Sequence, residues 1–430
     1  MNRRSYRGGR ASVALAFFVL LTLAVSSAQA RPSGQSATVK LTMYSSGASK
    51  PALDVLIPQF KEANPDIDVD LTYLGTAASG NQLETTQLAA GGGPDILSVW
   101  PGCGTATSVC RLAPAGHLVN MPAKPWAKRS TSISISTSKY GAGLYVYSPV
   151  VTFEGLWINE SMFKELGLKV PETFSQVLAV CRKARARGKV PMLLAASQSL
   201  VMQQLLGAFA LTTVDDYPKW LQKLKAGKAT FAGTPGWHRA LQKLVDLRNA
   251  GCFQLGATGT TSAGAEQQFV QGQALSYANM TSKKGNIEGA LPKFGFSQHP
   301  FPITDKPNGT TVMLIVGVGW SVNAHSSKTN QAAAQRLIDY LAQPTQSGTY
   351  ARLSGGLSQE QFRKGVLPRY LSSYSRLFKA RRYGVNPVQK WQNAETGDAL
   401  TEFGTALLTG QKSIAEVLKA LDAAWKLGPN

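Results

Sequence analysis

Two serine–lysine patterns are the clearest candidates for nucleophilic chemistry in this sequence. Ser136-Thr-Ser-Lys139 and Ser161-Met-Phe-Lys164 both fit Ser-x-x-Lys, in which a lysine can activate a serine hydroxyl. The Lys-Thr-Gly segment that accompanies this pattern is absent, and the nearest segment is Lys328-Thr-Asn330. Gly-x-Ser-x-Gly, His-Glu-x-x-His and phosphate-loop patterns are absent as well. The sequence therefore predicts a protein that is not an enzyme and that uses no cofactor.

An alternating acidic run is the candidate for cation binding. Asp66-Ile-Asp68-Val-Asp70 resembles the first positions of a calcium loop, but the glycine and the distal glutamate of such a loop are missing. The alternation instead predicts a strand with one acidic face. The four histidines lie far apart in the sequence and no Cys-x-x-Cys occurs, so no metal site is predicted.

The N-terminus has the three parts of an export signal. Basic residues come first, Val13–Val25 is apolar, and Ala28-Gln-Ala30 is a small-x-small cleavage site. We predict a signal peptide over 1–30, cleaved after Ala30, and a flexible lead-in over 31–36. No cysteine follows the apolar run, so no lipid anchor is predicted. The expected location is periplasmic or extracellular, with association to the cell wall as one possibility.

Four cysteines in an exported chain predict two disulfides. We favour Cys103–Cys110, which closes a short loop, together with Cys181–Cys252, whose members lie at or near the ends of helical segments. The two other pairings remain possible. The formal net charge of +21 is scattered along the chain, and four signal arginines contribute to it. In an exported protein this charge favours contact with anionic envelope polymers over nucleic acid.

The segment Leu88-Ala-Ala-Gly-Gly-Gly-Pro-Asp-Ile96 predicts the end of a helix, a sharp turn and a buried strand. That strand runs over Asp95–Trp100 and ends in a large aromatic side chain. In open α/β sheets, ligands bind outside the carboxyl ends of the strands. Trp100 is therefore a candidate ligand contact, and packing in the core is the alternative.

Other periodicities predict alternating strands and helices, which gives an α/β fold class. Strands are predicted over 38–45, 67–71, 95–100, 153–159, 272–278, 294–302 and 312–322. Helices are predicted over 51–64, 82–90, 160–166, 200–211, 217–225, 237–250, 265–271, 329–341 and 413–425, and another begins near 171. Residues 130–147 are predicted to be irregular strand and loop. Gly317 and Gly319 inside an apolar run predict a bulge or a close backbone approach.

A series of segments in a fixed order spans nearly the whole mature chain. Besides the export signal they are Phe60–Pro65, Ala89–Ile96, Gly116–Leu118, Gly155–Phe163, Pro171–Phe174, Phe269–Ala274, Gly319–Ser327 and Gly410–Trp425. Together they resemble the family 1 extracellular solute-binding proteins of ABC importers, the carbohydrate-binding class that includes maltodextrin-binding proteins. The chain departs from this family at Tyr277-Ala-Asn-Met280, where the family often has a sugar-stacking tryptophan.

The resemblance implies a two-lobe, periplasmic-binding-protein-like fold of type II with an interlobe ligand cleft. The N-lobe would comprise 37–150 and 318–355, and the C-lobe 151–317 and 356–430. The implied hinge residues are Glu154, Gly155, Gly317 and Gly319. The implied function is capture of a sugar or oligosaccharide by an exported monomer and its delivery to an ABC permease in the membrane. A receptor for an anionic solute, such as a glycerol phosphodiester or a uronic acid, is the first alternative, and a carbohydrate-active enzyme is the second.

Sugar sites combine aromatic faces with short polar side chains. The candidate ligand-binding residues are Ser45, Ser46, Gln82, Trp100, Tyr147, Asn279, Gly319 and Trp391. Core packing fits Trp157 and Trp320 better, since both lie in apolar strands. Glu84 is expected to be a surface charge, and helix packing is expected for Trp220, Trp237 and Trp425.

Overall fold

The computed structural model describes residues 38–74, 77–122, 124–197 and 199–429. The predicted signal peptide and lead-in lie outside these described residues. Within the described ranges, no helix is both long and apolar enough to cross a membrane.

Strands and helices alternate along the described chain, as the α/β prediction requires. The strands are β1 (Val39–Ser46), β2 (Ile67–Leu74), β3 (Ile96–Val99), β4 (Lys139–Tyr140), β5 (Gly143–Leu144), β6 (Val150–Asn159), β7 (Val190–Leu193), β8 (Ala274–Met280), β9 (Phe296–His299), β10 (Val312–Val316), β11 (Gly319–Val322), β12 (Leu357–Ser358) and β13 (Tyr383–Val385).

The helices lie on the faces of the sheets and between their strands. They are α1 (Lys50–Ala63), α2 (Ala77–Ala89), α3 (Val109–Leu112), α4 (Pro125–Arg129), α5 (Ser132–Thr137), α6 (Glu160–Glu165), α7 (Phe174–Arg185), α8 (Ser199–Thr213), α9 (Tyr217–Lys225), α10 (Pro235–Asn249), α11 (Ser262–Val270), α12 (Lys284–Gly289), α13 (Lys328–Leu341), α14 (Pro344–Ser354), α15 (Gln359–Lys364), α16 (Ser375–Lys379), α17 (Glu395–Thr409) and α18 (Ile414–Trp425).

The first sheet has the strand order β11-β3-β1-β2. Strand β1 is parallel to β2 and β3, and β11 is antiparallel to β3. Helix α1 places Leu53, Leu56 and Phe60 against this sheet at helical spacing, and all three are buried. Helices α13 and α14 complete the same layer. We call the part of the molecule built on this sheet the first lobe.

The turn before β3 is held by the carboxylate of Asp95. Its Oδ2 accepts hydrogen bonds from the backbone N and the hydroxyl of Thr42 in β1, at 2.8 and 3.0 Å. Its Oδ1 accepts from Ser326 Oγ at 2.7 Å and from Asn330 Nδ2 at 3.0 Å. Gly91 and Gly93 have φ angles of +75° and +101°, which confirms the predicted glycine turn. One carboxylate thus joins β1, β3 and the start of α13.

The second sheet has the strand order β13-β10-β6-β8-β7, and β9 and β12 also pair with β6. All ten residues of β6 are buried, as expected of a strand covered on both faces. Helices α8, α10, α17 and α18 pack together in this second lobe. Trp220, Trp237 and Trp425 lie in its aromatic core, which confirms their predicted role in helix packing.

Within the described residues, the chain passes between the two sheets at three places. Tyr147 bridges to Trp320 of the first sheet, and Val150 begins β6 of the second. Strand β10 ends at Val316 and β11 begins at Gly319, so the run predicted as one strand over 312–322 forms two strands in different sheets. Helix α14 ends at Ser354, and Leu357 then pairs with β6. The lobe boundaries themselves remain a prediction.

Residues 130–147 form more regular structure than the sequence indicated. Thr131 accepts a hydrogen bond from Ser134 N and begins α5, and β4 and β5 form a hairpin after it. The side chain of Gln359, which is distant in the sequence, stabilises this structure. Gln359 Oε1 accepts hydrogen bonds from Thr131 N, Thr131 Oγ1 and Ser134 Oγ, at 3.1, 3.0 and 2.9 Å.

We predict that Asp95→Ala lowers the free energy of unfolding by about 3 kcal/mol or more. A hydrogen bond to a charged group contributes about 1.5–3 kcal/mol, and the substitution removes four of them. Urea denaturation is the measurement, with Asp70→Ala on the exposed face of β2 as the matched control. Equal losses for the two variants would contradict the role assigned to Asp95.

Candidate functional site

A cavity of about 600 Å³ lies between the two lobes. This volume is in the range of about 300–1,000 Å³ that small-molecule sites occupy. We call this cavity the cleft. The residues lining it are Ser46, Gly47, Ala48, Tyr73, Leu74, Gly80, Asn81, Ser98, Trp100, Thr105, Thr107, Leu200, Thr261, Ser262, Ala263, Glu266, Lys283, Asn286 and Val318.

The first lobe contributes the carboxyl ends of its parallel strands to the cleft. Ser46 ends β1, and Trp100 directly follows β3. Strand direction thus places a hydroxyl group and an indole ring at one edge of the sheet, as the strand-end argument predicted. Trp100 is 3% exposed, and its Nε1 donates to the carbonyl of Cys103 at 3.1 Å. The indole therefore has a fixed orientation and little freedom to turn.

The loop over residues 101–110, which we call the disulfide loop, follows Trp100 directly. Cys103 and Cys110 are bonded in it, and Cys181 is bonded to Cys252 in the second lobe, so the structure forms both favoured disulfides. Thr105 and Thr107 of the loop line the cleft. Thr107 Oγ1 donates to Asn81 Oδ1 at 3.1 Å, which ties the loop to α2.

The disulfide loop also contacts the second lobe. Gln389 Nε2 donates to the carbonyl of Pro101 at 3.2 Å, and Gln203 Nε2 donates to that of Gly104 at 3.3 Å. A Cβ atom at Gly102 would lie 2.1 Å from the carbonyl oxygen of Gln389, so this close approach requires glycine. Arg111, next to the loop, forms an ion pair with Glu395 of α17. The loop therefore joins the lobes beside the cleft.

The second lobe contributes the first turns of α8 and α11 and the turn after β8. Glu266 of α11 and Lys283 form an ion pair of 3.0 Å, with side chains 18% and 17% exposed. Burial opposes the charged form of Lys283, but electrostatic attraction to Tyr277 and to the paired carboxylate of Glu266 outweighs it, so the pKa of Lys283 lies above its usual value. Among the described residues that line the cleft, these two are the charged ones.

A buried carboxyl group lies behind the first-lobe wall. Glu84 is 0% exposed, which makes the predicted surface charge wrong. It lies one turn after Asn81 on α2, and Ser98 N donates to its Oε2 at 3.4 Å. Among the described residues, no hydrogen-bond partner faces its Oε1. Burial raises the pKa of Glu84 to about 8, so the side chain is mostly protonated at neutral pH.

Residues 44–347 match the family model described as bacterial extracellular solute-binding protein. The match covers most of the chain and both lobes. This chain belongs to that family.

This solute-binding protein is similar in sequence to one relative and similar in fold to two solved structures. The multiple sugar-binding protein of Streptococcus mutans is 24% identical over 292 residues, which make up 67% of each chain. Maltose-bound MalE3 of T. maritima is 19% identical with a TM-score of 0.71, and covers 91% of this chain and 100% of its own. An ABC transporter solute-binding protein from Thermotoga lettingae, bound with α-D-tagatose, is 16% identical with a TM-score of 0.75, covering 91% and 99%. The two-lobe type II fold is thereby confirmed.

Two of the predicted ligand-binding residues, Ser46 and Trp100, line the cleft of this solute-binding protein. Gln82 is exposed on α2 but does not line the cleft, since its neighbour Asn81 takes that position. Ser45 is buried, and its hydroxyl accepts from Trp320 Nε1 at 3.2 Å. Whether Ser46 and Trp100 contact a ligand stays a prediction.

Three other candidates lie in the core, where neighbouring side chains hold them. Tyr147 packs between Trp126 and Trp320. Asn279 Nδ2 donates to Tyr277 Oη at 2.5 Å. Trp391 Nε1 donates to Tyr217 Oη at 3.1 Å within the aromatic core of the second lobe.

Among the predicted hinge residues, Gly317 lies between the sheets and Gly319 begins β11. A Cβ atom at Gly319 would lie 2.2 Å from the carbonyl oxygen of Tyr147, which confirms the predicted close approach. Glu154 and Gly155 instead pair with Met280 and Asn279 inside the second sheet. That position corrects the assignment of Glu154 and Gly155 to an interlobe connection.

Sequence reasoning missed most of the second-lobe wall. Thr261, Ser262 and Glu266 lie at the start of α11, and a capping threonine before a short helix was the available signal. Lys283 and Asn286 follow β8, the strand that contains the candidate residue Asn279. Their spacing resembles that of an ordinary solvated turn, so only the tertiary fold shows that they face the cleft.

We predict different outcomes for the two disulfides. The Cys103→Ser/Cys110→Ser variant should lose about 2–3 kcal/mol of unfolding free energy and the Cys181→Ser/Cys252→Ser variant about 4 kcal/mol, because the second bond closes a longer loop. Amide hydrogen exchange over 100–110 should increase in the first variant and stay unchanged in the second. A larger increase over 100–110 in the second variant would refute the local role of Cys103–Cys110.

We predict that Glu84→Gln stabilises the protein more at pH 8 than at pH 5. Between the unfolded pKa near 4.5 and the folded value of about 8, the folded chain keeps a proton that the unfolded chain has lost, so wild-type stability falls as pH rises. The difference should reach at least about 1 kcal/mol, since each pH unit in this window contributes up to about 1.4 kcal/mol. Denaturation at both pH values measures it, with the exposed Glu62→Gln as control. A pH-independent effect would mean that Glu84 is ionised when folded.

Proposed function

We propose that this solute-binding protein is the exported substrate-binding component of a carbohydrate ABC importer. It captures a sugar or oligosaccharide in the cleft and delivers it to a membrane permease, without turnover. The observation that carries the proposal is the composition of the cleft. Hydroxyl and amide groups from Ser46, Asn81, Ser98 and Thr107 surround a cavity beside the indole of Trp100.

This composition suits a saccharide in two ways. Hydroxyl groups of a sugar need short donors and acceptors at several angles, which serine, threonine and asparagine side chains provide. The apolar C–H face of a sugar ring needs an aromatic surface, which the partly exposed ring of Tyr73 offers from the first lobe beside the largely buried indole of Trp100. The relatives support the same ligand class, because one is named for multiple sugars and two are bound with maltose and tagatose.

The interlobe position supports a role in transport. A ligand held between two lobes stabilises one relative arrangement of them, and that arrangement can then be recognised by a permease. The three connections between the sheets allow such a change, with Gly317 in one of them. Export follows from the signal predicted over 1–30, and we expect the protein to act as a monomer.

We predict that the purified protein binds a saccharide from a panel of neutral mono- and oligosaccharides, sugar acids and glycerol phosphodiesters. A ligand at one hundred times its Kd should stabilise the folded state by about 2.7 kcal/mol. Thermal unfolding finds the ligand, and titration calorimetry gives its Kd. Trp100→Phe should weaken binding about tenfold, because it removes the Nε1 hydrogen bond to Cys103 that holds the disulfide loop beside the cleft, whereas Trp126→Phe in the first-lobe core should not.

Two results would contradict the proposal. Chemical conversion of a bound saccharide, detected by chromatography after prolonged incubation, would show an enzyme. Binding of no saccharide at millimolar concentration would remove the sugar-binding role, even if a glycerol phosphodiester binds.

A further inference from the structure

We propose that the Glu266–Lys283 ion pair determines the ligand class, by binding hydroxyl groups of an uncharged saccharide and disfavouring acidic sugars and phosphodiesters. The inference rests on the proposed function and narrows its ligand class. The inference concerns the role of this ion pair alone, whereas the proposed function requires only that the cleft binds a saccharide.

The first step is the position of the pair. Glu266 and Lys283 both line the cleft, on the wall opposite Ser98 and Trp100. Their side chains are 18% and 17% exposed, so both reach the cavity while most of their surface is covered. A ligand that fills the cleft would therefore displace the remaining water from these two charged groups. The hydrogen bonds that they lose with water have to be replaced by hydrogen bonds to the ligand.

The second step is hydrogen-bonding capacity. An ammonium group has three N–H donors, and a carboxylate has about four acceptor positions. One contact of 3.0 Å between them leaves donors on Lys283 and acceptors on Glu266 for other partners. A hydroxyl group both donates and accepts, so neighbouring hydroxyl groups on one sugar ring can satisfy both charged groups together.

The third step is electrostatic. An anionic ligand that reaches Lys283 also comes close to the carboxylate of Glu266, so its attraction to one is offset by repulsion from the other. The neutral lining elsewhere, with Ser262 and Asn286 nearby, offers no second cationic side chain among the described residues of the cleft. The overall positive charge of the chain therefore has no counterpart in the cleft.

The test compares matched neutral and acidic sugars on four proteins. The probes are glucose with glucuronic acid, galactobiose with digalacturonic acid, the neutral saccharide found in the panel above, and the anionic phosphodiester glycerophosphoglycerol. The proteins are wild type, Glu266→Gln, Lys283→Gln and a control, Glu288→Gln. Glu288 pairs with Lys284 outside the cleft, so the control removes a carboxylate of a neighbouring ion pair.

We expect wild type to bind a neutral saccharide more tightly than any acidic probe. Glu266→Gln should weaken that binding by about ten- to a hundredfold, the usual effect of losing a hydrogen bond to a charged group. The affinity of Glu266→Gln for an acidic probe should rise at least about tenfold, because the positive charge of Lys283 then has no carboxylate beside it. Lys283→Gln should bind the neutral saccharide more weakly and should not bind the acidic probes more tightly, and the affinities of Glu288→Gln should match those of wild type.

Thermal unfolding without ligand shows whether each variant is folded. If Glu266→Gln is unstable, Glu266→Asp replaces it and should partly restore binding.

Each remaining outcome has a distinct meaning. Tighter wild-type binding of an acidic probe overturns the inference and leaves a solute receptor in place. Neutral-sugar binding that is unchanged in both Glu266→Gln and Lys283→Gln also overturns it, while the proposed function stands. Binding of no saccharide at all overturns the proposed function, and this inference with it.

Discussion

The carboxylate of Asp95 accepts four hydrogen bonds, and the position of the first-lobe wall depends on them. Two come from Thr42 in β1 and two from Ser326 and Asn330 at the start of α13. They fix where β3 begins, and a four-residue strand then leaves little freedom for where it ends. Trp100 follows at that end, so a buried charge at one edge of the sheet sets the position of an indole at the other.

The disulfide loop extends this constraint to the second lobe. It starts at the residue after Trp100, lines the cleft with Thr105 and Thr107, and accepts hydrogen bonds from Gln203 and Gln389 of the second lobe. A change in the angle between the lobes must either break these hydrogen bonds or move the loop with the second lobe. The Cys103–Cys110 bond limits how far the loop itself can deform. Any relative motion of the lobes is therefore mechanically coupled to the loop.

Local patterns in the sequence predicted the elements whose causes are local. The glycine turn before Asp95 and the helices predicted over 51–64 and 413–425 depend on residues a few positions apart. In the structure these are the apolar face of α1 and the capping box of α18 at Ser413. Position in the core or the cleft depends on distant partners. Trp391 is held by Tyr217, 174 residues away, and Glu84 is covered by a strand that follows its helix. The same limit explains why Glu266 and Lys283 were missed, since neither differs in local sequence from a surface charge.

The charge of the whole chain and the charge of the cleft act at different ranges. Without the four arginines of the predicted signal peptide the net charge of +21 falls to +17. That charge changes the potential within about 8–10 Å at physiological salt, which affects attraction to anionic polymers and the rate of encounter. Selectivity is a difference in affinity and is set by atoms in contact with the ligand. The atoms that line the cleft are neutral polar groups, aromatic carbon and one compensated ion pair. A basic protein can therefore have a cleft suited to a neutral ligand, because its total charge and the charge of its cleft are independent.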